Sequence, residues 1–206
     1  MTERPRVLVV DDKESVLEVM SAILGEAYRV ETAADAATAT ALLVARPFDL
    51  VLTDVRMPGA SGFDLLETVK QVSPGTSVVM MTGYASIPDA VRAIRRGAFD
   101  YVAKPLEAEE ICLAVLRALE HRAEAARPGE GAAAVPGRGD EVDGDFKGAL
   151  TAARDQASHD YLVALMQRFH GNVTRAADRA RMTRENLHRL LRKYRVRSEA
   201  FRPAGA

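Results

Sequence analysis

Asp11, Asp12, Asp54, Thr82 and Lys104 each stand at or just beyond the end of a short apolar run: RVLVV before Asp11-Asp12, LVLT before Asp54, SVVMM before Thr82 and FDYVA before Lys104. Carboxylates gathered at one place repel each other, and a cation relieves the repulsion. Mg2+ suits that role, because it takes carboxylate and carbonyl oxygens together with waters and commonly couples a protein site to phosphate oxygens. A carboxylate can also attack phosphorus and become an aspartyl phosphate, with a lysine ammonium neutralising the phosphoryl oxygens and a threonine hydroxyl donating to one of them. Taken singly, Asp11-Asp12 and Thr82 serve equally well as helix caps, Asp54 as a turn residue and Lys104 as a solvated loop lysine. Their joint placement favours the phosphoryl chemistry.

The apolar runs belong to an alternating pattern. Strands are predicted over 6–10, 28–31, 50–53, 77–81 and 99–102. After the first strand, Val16, Leu17, Met20, Ile23 and Leu24 share one helical face until Gly25, and further helices are predicted over 35–45, 62–72, 87–96 and 107–121. Five strands alternating with five helices imply an α/β, doubly wound, five-stranded parallel sheet. In such a sheet the site lies outside the carboxyl ends of the strands, near the switch in strand order. The five chemically competent residues therefore converge there from four loops.

Residues 6–121 resemble a response-regulator receiver domain, through VLVVDD, VLTDVRMPGASGFDLL, VVMMTGYAS and FDYVAKPL. The resemblance implies a flavodoxin-like fold with Asp54 as phosphoacceptor. It makes Asp11 and Asp12 the acidic metal pair and has Arg56 lend its main-chain carbonyl beside Asp54 to a Mg2+ (or Mn2+) ion. Lys104 would contact the phosphoryl group, with Lys104-Pro105 in the cis form. Thr82 and Tyr101 match the switch pair, whose inward movement on phosphorylation reshapes the face of the fourth helix, fifth strand and fifth helix. The implied partner is a sensor histidine kinase, and the implied catalysis goes no further than the domain's own phosphorylation and dephosphorylation, so the chain is not expected to be an enzyme. Arg56 and Tyr84 occupy positions that in the family modulate how readily water reaches the acyl phosphate, and bulky Tyr84 is expected to slow autodephosphorylation.

The 206 residues are 48% hydrophobic and 28% charged, proportions of a globular chain rather than a disordered or collagen-like one. No apolar run approaches the roughly 18 residues that span a bilayer, so no membrane association and a cytoplasmic location are expected. The single cysteine, Cys112, excludes an intrachain disulfide and a cysteine-only zinc site, and its neighbours Ile111, Leu113, Val115 and Leu116 predict a core position. Charge is uneven: residues 1–121 hold 12 Lys and Arg against 18 Asp and Glu, residues 122–147 hold 4 against 6, and residues 148–206 hold 12 against 5. An acidic first part thus precedes a basic last part, and basic patches favour nucleic acid. The stretch between them, rich in Gly, Ala and Pro with almost no large apolar side chains, cannot bury enough surface to fold alone. The expected organisation is a receiver over 1–122, a flexible linker over 123–147 and a small all-helical DNA-binding domain over 148–206.

In that last part, 158–169 carries Tyr161, Leu162, Leu165, Met166 and Phe169 at helical spacing, with Gly171 suited to the position after its end. Asn172 caps 173–180, Arg181-Met182 turn, and Thr183 caps a second helix whose Leu187, Leu190, Leu191 and Tyr194 face the core. The opposite side centres on Glu185, Arg189 and Arg192, flanked by Asn186, His188 and Lys193, with Arg184 near the start. Such a polar, basic face is what a recognition helix in a major groove requires. Arginine reads guanine bidentately or binds phosphate, asparagine reads adenine, and glutamate accepts from cytosine N4. None of the four histidines has metal-site spacing, and His188 alone is a functional candidate, through DNA.

The stretch DYLVALMQRFHGNVTRAADRARMTRENLHRLLRKYRV resembles the Fis-type DNA-binding domain at the end of nitrogen-regulation-class activators. That resemblance implies double-stranded DNA as ligand, contacted from Thr183 to Lys193, and a homodimer with 146–169 at its interface. Arg181 and Arg195 depart from it, standing where glycine is usual. Activators of that class carry a central ATPase with a G-x-x-x-x-G-K-[ST] phosphate loop. No such pattern occurs in these 206 residues, and about 25 linker residues leave no room for an ATPase between the two parts. A response regulator binding DNA directly as a dimer is the leading expectation. A phosphorelay or partner-docking receiver with vestigial DNA binding, and a low-specificity architectural binder, are the alternatives.

Overall fold

The computed structural model describes residues 4–84, 86–105, 107–125 and 146–201. The chain divides into two compact units, Met1–Leu106 with Arg117–Asp140, and Glu107–Leu116 with Glu141–Ala206. In the first unit five parallel strands, β1 (Arg6–Val10), β2 (Arg29–Ala33), β3 (Leu50–Asp54), β4 (Ser77–Thr82) and β5 (Asp100–Ala103), lie in the order β2-β1-β3-β4-β5. β3 and β4 are buried along their whole length, which is why LVLT and SVVMM read as continuous apolar runs rather than alternating ones. Helices α1 (Glu14–Leu24), α2 (Ala36–Ala45), α3 (Gly62–Val72), α4 (Ile87–Arg95) and α5 (Ala108–Ala125) alternate with the strands. The strand order reverses between β1 and β3, so Asp11 after β1 and Asp54 at the end of β3 flank the point where such sheets bind ligands.

β1 and α3 keep the bounds read from the sequence, and the other element edges of this unit differ from it by at most four residues. Tyr28 donates its N–H to the Leu24 carbonyl at 3.0 Å and so closes the turn that follows α1, leaving β2 to begin at Arg29. Asp35 caps α2 by accepting from Thr38 N–H at 2.7 Å. α5 continues through Ala123, Glu124 and Ala125, strong helix formers within a stretch whose overall composition suggests a linker, and so enters the expected linker by three residues. The linker residues 126–145 lie outside the described residues.

In the second unit, α6 (Phe146–Arg168), α7 (Val173–Arg179) and α8 (Arg184–Lys193) precede a 3-10 turn, Ser198–Phe201. Leu162, Met166, Ala176, Leu187 and Leu190 are fully buried at its centre, each large side chain contributing about 1.5–3 kcal/mol by burial. All three helices end alike. Gly171 N–H bonds back to Met166 C=O at 2.9 Å, Met182 to Ala177 at 3.1 Å and Val196 to Leu191 at 2.8 Å, each closing over a left-handed residue: His170 (φ 49°), Arg181 (φ 52°) and Arg195 (φ 56°). Glycine adopts that conformation without strain, whereas an L side chain costs about 1–2 kcal/mol there, partly offset by glycine's larger unfolded-state entropy. Arg181→Gly is therefore expected to stabilise the second unit by about 0.5–1 kcal/mol in urea unfolding. A destabilised variant would mean that the Arg181 side chain contributes more than its backbone costs.

Candidate functional site

At the carboxyl ends of β1, β3 and β5 one ammonium joins two carboxylates. Lys104 Nζ donates to Asp11 Oδ2 and lies 2.5 Å from Asp54 Oδ1. Asp11 is fully buried, Asp54 nearly so, and the Lys104 side chain is 18% exposed, so these charges meet with little water between them. The remaining oxygens are held by main-chain donors: Lys13 N–H reaches Asp11 Oδ1 at 3.1 Å, and Arg56 N–H reaches Asp54 Oδ2 at 2.7 Å. Burial pulls the Lys104 pKa down, but the hydrogen bonds and charges of Asp11 and Asp54 outweigh it and leave the ammonium above its ordinary value. The Lys104-Pro105 peptide that follows is cis, as the resemblance implied.

The expected residues are brought together unevenly. Asp11, Asp54 and Lys104 form the cluster just described, whereas the Asp12 side chain beside it is exposed. Thr82 Oγ1 accepts from Tyr84 N–H at 3.0 Å and donates to the Tyr84 carbonyl at 3.1 Å, which fixes the hydroxyl at the end of β4. Tyr101 is buried on β5, and its hydroxyl makes no hydrogen bond among the described residues. Burial pushes the Tyr101 pKa up, opposed by Thr82, which lies near but without the alignment of a hydrogen bond. The exposed Arg56 guanidinium stands 4.8 Å from the centre of the exposed Tyr84 ring, a cation–π arrangement at the rim of the site.

The donors are hard oxygens, the chemistry Mg2+ prefers. Among the described residues, however, no three His, Cys, Asp or Glu side chains are grouped to hold a metal ion. The positive charge between Asp11 and Asp54 comes from Lys104, so a bound ion would take oxygens that the ammonium or the main chain holds here.

One residue that sequence reasoning missed is Gly62. A Cβ there would lie 2.1 Å from the Asp54 carbonyl oxygen, so only glycine lets the start of α3 press against the main chain of the phosphoacceptor candidate. Ser61 and Asp64 fix that start by reciprocal capping, Asp64 Oδ2 accepting from Ser61 N–H at 2.8 Å. Gly62→Ala is expected to cost about 2 kcal/mol and to displace the loop after β3. Unfolding by urea measures the first, and an unchanged midpoint would show that the loop yields freely.

In the second unit, Thr183 Oγ1 caps α8 by accepting from Asn186 N–H at 3.1 Å, and Asn172 Oδ1 caps α7 by accepting from Arg175 N–H at 3.1 Å. Leu187, Leu190 and Leu191 are buried, while Arg184, Glu185, Arg189, Arg192 and Lys193 are exposed and Asn186 and His188 half-buried. Thr183, Arg184, Glu185 and His188 line an open concavity of about 440 Å³ at the start of the helix. Two basic side chains already have anionic partners within this unit: Arg189 pairs with Glu109, and Lys193 with Glu110 and, at 3.2 Å, with Glu107. Sequence reading placed both on the DNA-facing side of the helix and named no protein partner for either, because the carboxylates lie some eighty residues earlier.

Residues 7–116, more than half of the chain, match the response regulator receiver domain family, and residues 153–194 match the Fis family of bacterial regulatory proteins. The chain is 38% identical over 121 residues to the response regulator protein PilR of Pseudomonas aeruginosa, a match covering 58% of this chain and 27% of that one. It thus spans about a quarter of that longer protein. To the photosynthetic apparatus regulatory protein RegA of Rhodovulum sulfidophilum it is 28% identical over 192 residues, 93% of each chain. Among solved structures, the beryllofluoride-activated NtrC4 receiver domain dimer superposes with a TM-score of 0.55 at 36% identity, over 57% of this chain and 98% of that one. The chain belongs to the response-regulator receiver family and carries a Fis-family helix-turn-helix segment behind its receiver domain.

Proposed function

We propose that the protein is a two-component response regulator in which phosphorylation of Asp54 by a sensor histidine kinase controls how the helix-turn-helix binds double-stranded DNA, and so transcription. The observation that carries this reading is the Lys104 ammonium bridging Asp11 and Asp54 at the switch point of the sheet. Asp54 Oδ attacks the phosphorus of the donor, the donor's phosphorus bond breaks, and Lys104 neutralises charge on the transferred group. Asp11, Asp12 and Asp54, with the Arg56 carbonyl, would hold Mg2+, which when bound supplies positive charge to the phosphoryl oxygens. Thr82 then exchanges its Tyr84 main-chain partners for a phosphoryl oxygen, and Tyr101, whose buried hydroxyl has no hydrogen-bond partner among the described residues, is free to move with it.

Receiver over 1–122 and DNA-binding domain over 148–206 would act as a homodimer, and a two-fold protein reads inverted half-sites. The NtrC4 receiver in its activated form is described as a dimer, which supports this arrangement. This reading assigns these residues no ATPase activity of their own, as they carry no phosphate-loop pattern. A duplex reaching Arg189 and Lys193 exchanges their carboxylates for phosphates or bases. Footprinting of the whole chain on genomic fragments at fixed salt tests the reading: one defined, inverted-repeat site is expected, and uniform protection without a site would replace it with a low-specificity binder.

Tyr84 and Arg56 bear on the lifetime of the phosphoryl group. Read as a screen between water and Asp54, their stacked pair gives the expectation that Tyr84→Ala shortens the half-life of the phosphorylated chain. An unchanged half-life would remove Tyr84 from that role.

A further inference from the structure

A second open concavity, of about 600 Å³, lies at the other end of α8, where the chain turns at Arg195 and enters the 3-10 turn Ser198–Phe201. Arg192, Arg195 and Arg197 line it with His188, Ser198 and Glu199. Three guanidinium groups there face one carboxylate. Unlike Arg189 and Lys193, none of the three pairs with a carboxylate among the described residues, so their charge is available to an external anion. Arg195 also holds its backbone at φ 56°, a conformation that glycine adopts without strain. His170 and Arg181 close their helices in the same way, so the conformation alone is a feature of helix ending. What sets Arg195 apart is the concavity and the two arginines that share it. Strain kept at such a place points to a role for the side chain.

The position of the concavity indicates the anion. His188 lines both this concavity and the one at the start of α8, so the two form a continuous face. Ten residues of helix extend about 15 Å, and the major groove of B-DNA is about 12 Å wide. With the start of α8 over the base edges, residues beyond its end fall at the groove's rim, where the phosphates run. Resting on the DNA-binding reading above, we infer that Arg195 and Arg197, with Arg192, clasp the phosphodiester backbone of double-stranded DNA and anchor the recognition helix without reading sequence.

The test measures duplex binding by the whole chain across salt for the wild type, Arg195→Gly, Arg197→Gln, the double variant and Asn186→Ala as a base-face control. Arg195→Gly relieves the backbone, so unfolding does not imitate the missing guanidinium, and thermal unfolding checks this. Each phosphate that the protein ceases to neutralise lowers the slope of log K against log salt by about 0.9. The double variant is thus expected to have a slope shallower by about 1.8, so that its affinity falls about 12-fold less than the wild type's between about 50 and 200 mM salt, with site preference unchanged. Asn186→Ala should change preference and leave the slope alone. A double variant with the wild-type slope, or one with altered site preference, overturns the inference and leaves the DNA reading standing. A wild-type chain that binds no duplex overturns both.

Discussion

Lys104→Met is expected to destabilise the first unit by about 3–5 kcal/mol at neutral pH, because it leaves Asp11, fully buried, and Asp54, nearly so, without the cation that lies between them. Methionine keeps the length and apolar stem of lysine, so the loss is one of charge rather than volume. The pH dependence has a definite sign. Lys104 in the folded chain sits above its ordinary pKa, so the stability it contributes is complete below about pH 10.5 and is lost as the pH rises through its folded value. The variant lacks that alkaline loss. Mg2+ should raise the midpoint of the variant more than that of the wild type, because no ammonium competes for the carboxylates. Urea unfolding across pH, with and without Mg2+, measures all three. A variant within about 1 kcal/mol of the wild type at pH 7 would show that the two carboxylates do not depend on Lys104.

Asp54→Ala is expected to abolish phosphoryl incorporation from acetyl phosphate in the presence of Mg2+. Neither neighbouring carboxylate can substitute. Asp11 is fully buried with both oxygens held, by Lys104 and by Lys13 N–H, and Asp12 is exposed outside the ion-paired cluster. Asp54 is held by the same kinds of partner, Lys104 and a main-chain donor two residues on, but it keeps some exposure where Asp11 has none, so of the two it is the one open to a donor. Intact-mass measurement reads the expected absence of the single added phosphoryl group, and peptide mapping locates any that remains. A phosphoryl group found on Asp12 in the variant would contradict the assignment.

The receiver cluster was legible because it depends on strand ends. An apolar run is read directly from sequence, a parallel sheet aligns the carboxyl ends, and Asp11, Asp54 and Lys104 are then neighbours whatever the details of the loops. Gly62 was not legible, since its requirement arises from the approach of α3 to the Asp54 carbonyl, a tertiary contact that no periodicity reveals. The left-handed Arg181 and Arg195 were foreshadowed by departure from the glycine usual at those positions, and the helix caps Asn172 and Thr183 by residue type alone. The partners of Arg189 and Lys193 were hidden for the opposite reason: charge patterning locates a basic face but says nothing of which distant carboxylates meet it. Strand and helix edges shifted wherever a cap or a run of good helix formers overrode the apolar pattern, as at Tyr28 and over Ala123 to Ala125.

The most direct test of a phosphorylation-switched regulator is binding of the whole chain to genomic DNA fragments at one fixed salt concentration, with and without acetyl phosphate and Mg2+, beside Asp54→Ala. Fixed salt matters because phosphate contacts make affinity steeply salt-dependent. Tighter, site-restricted binding that requires the phosphodonor and is lost in Asp54→Ala is the predicted result. Selective binding that is the same with and without phosphorylation would contradict it.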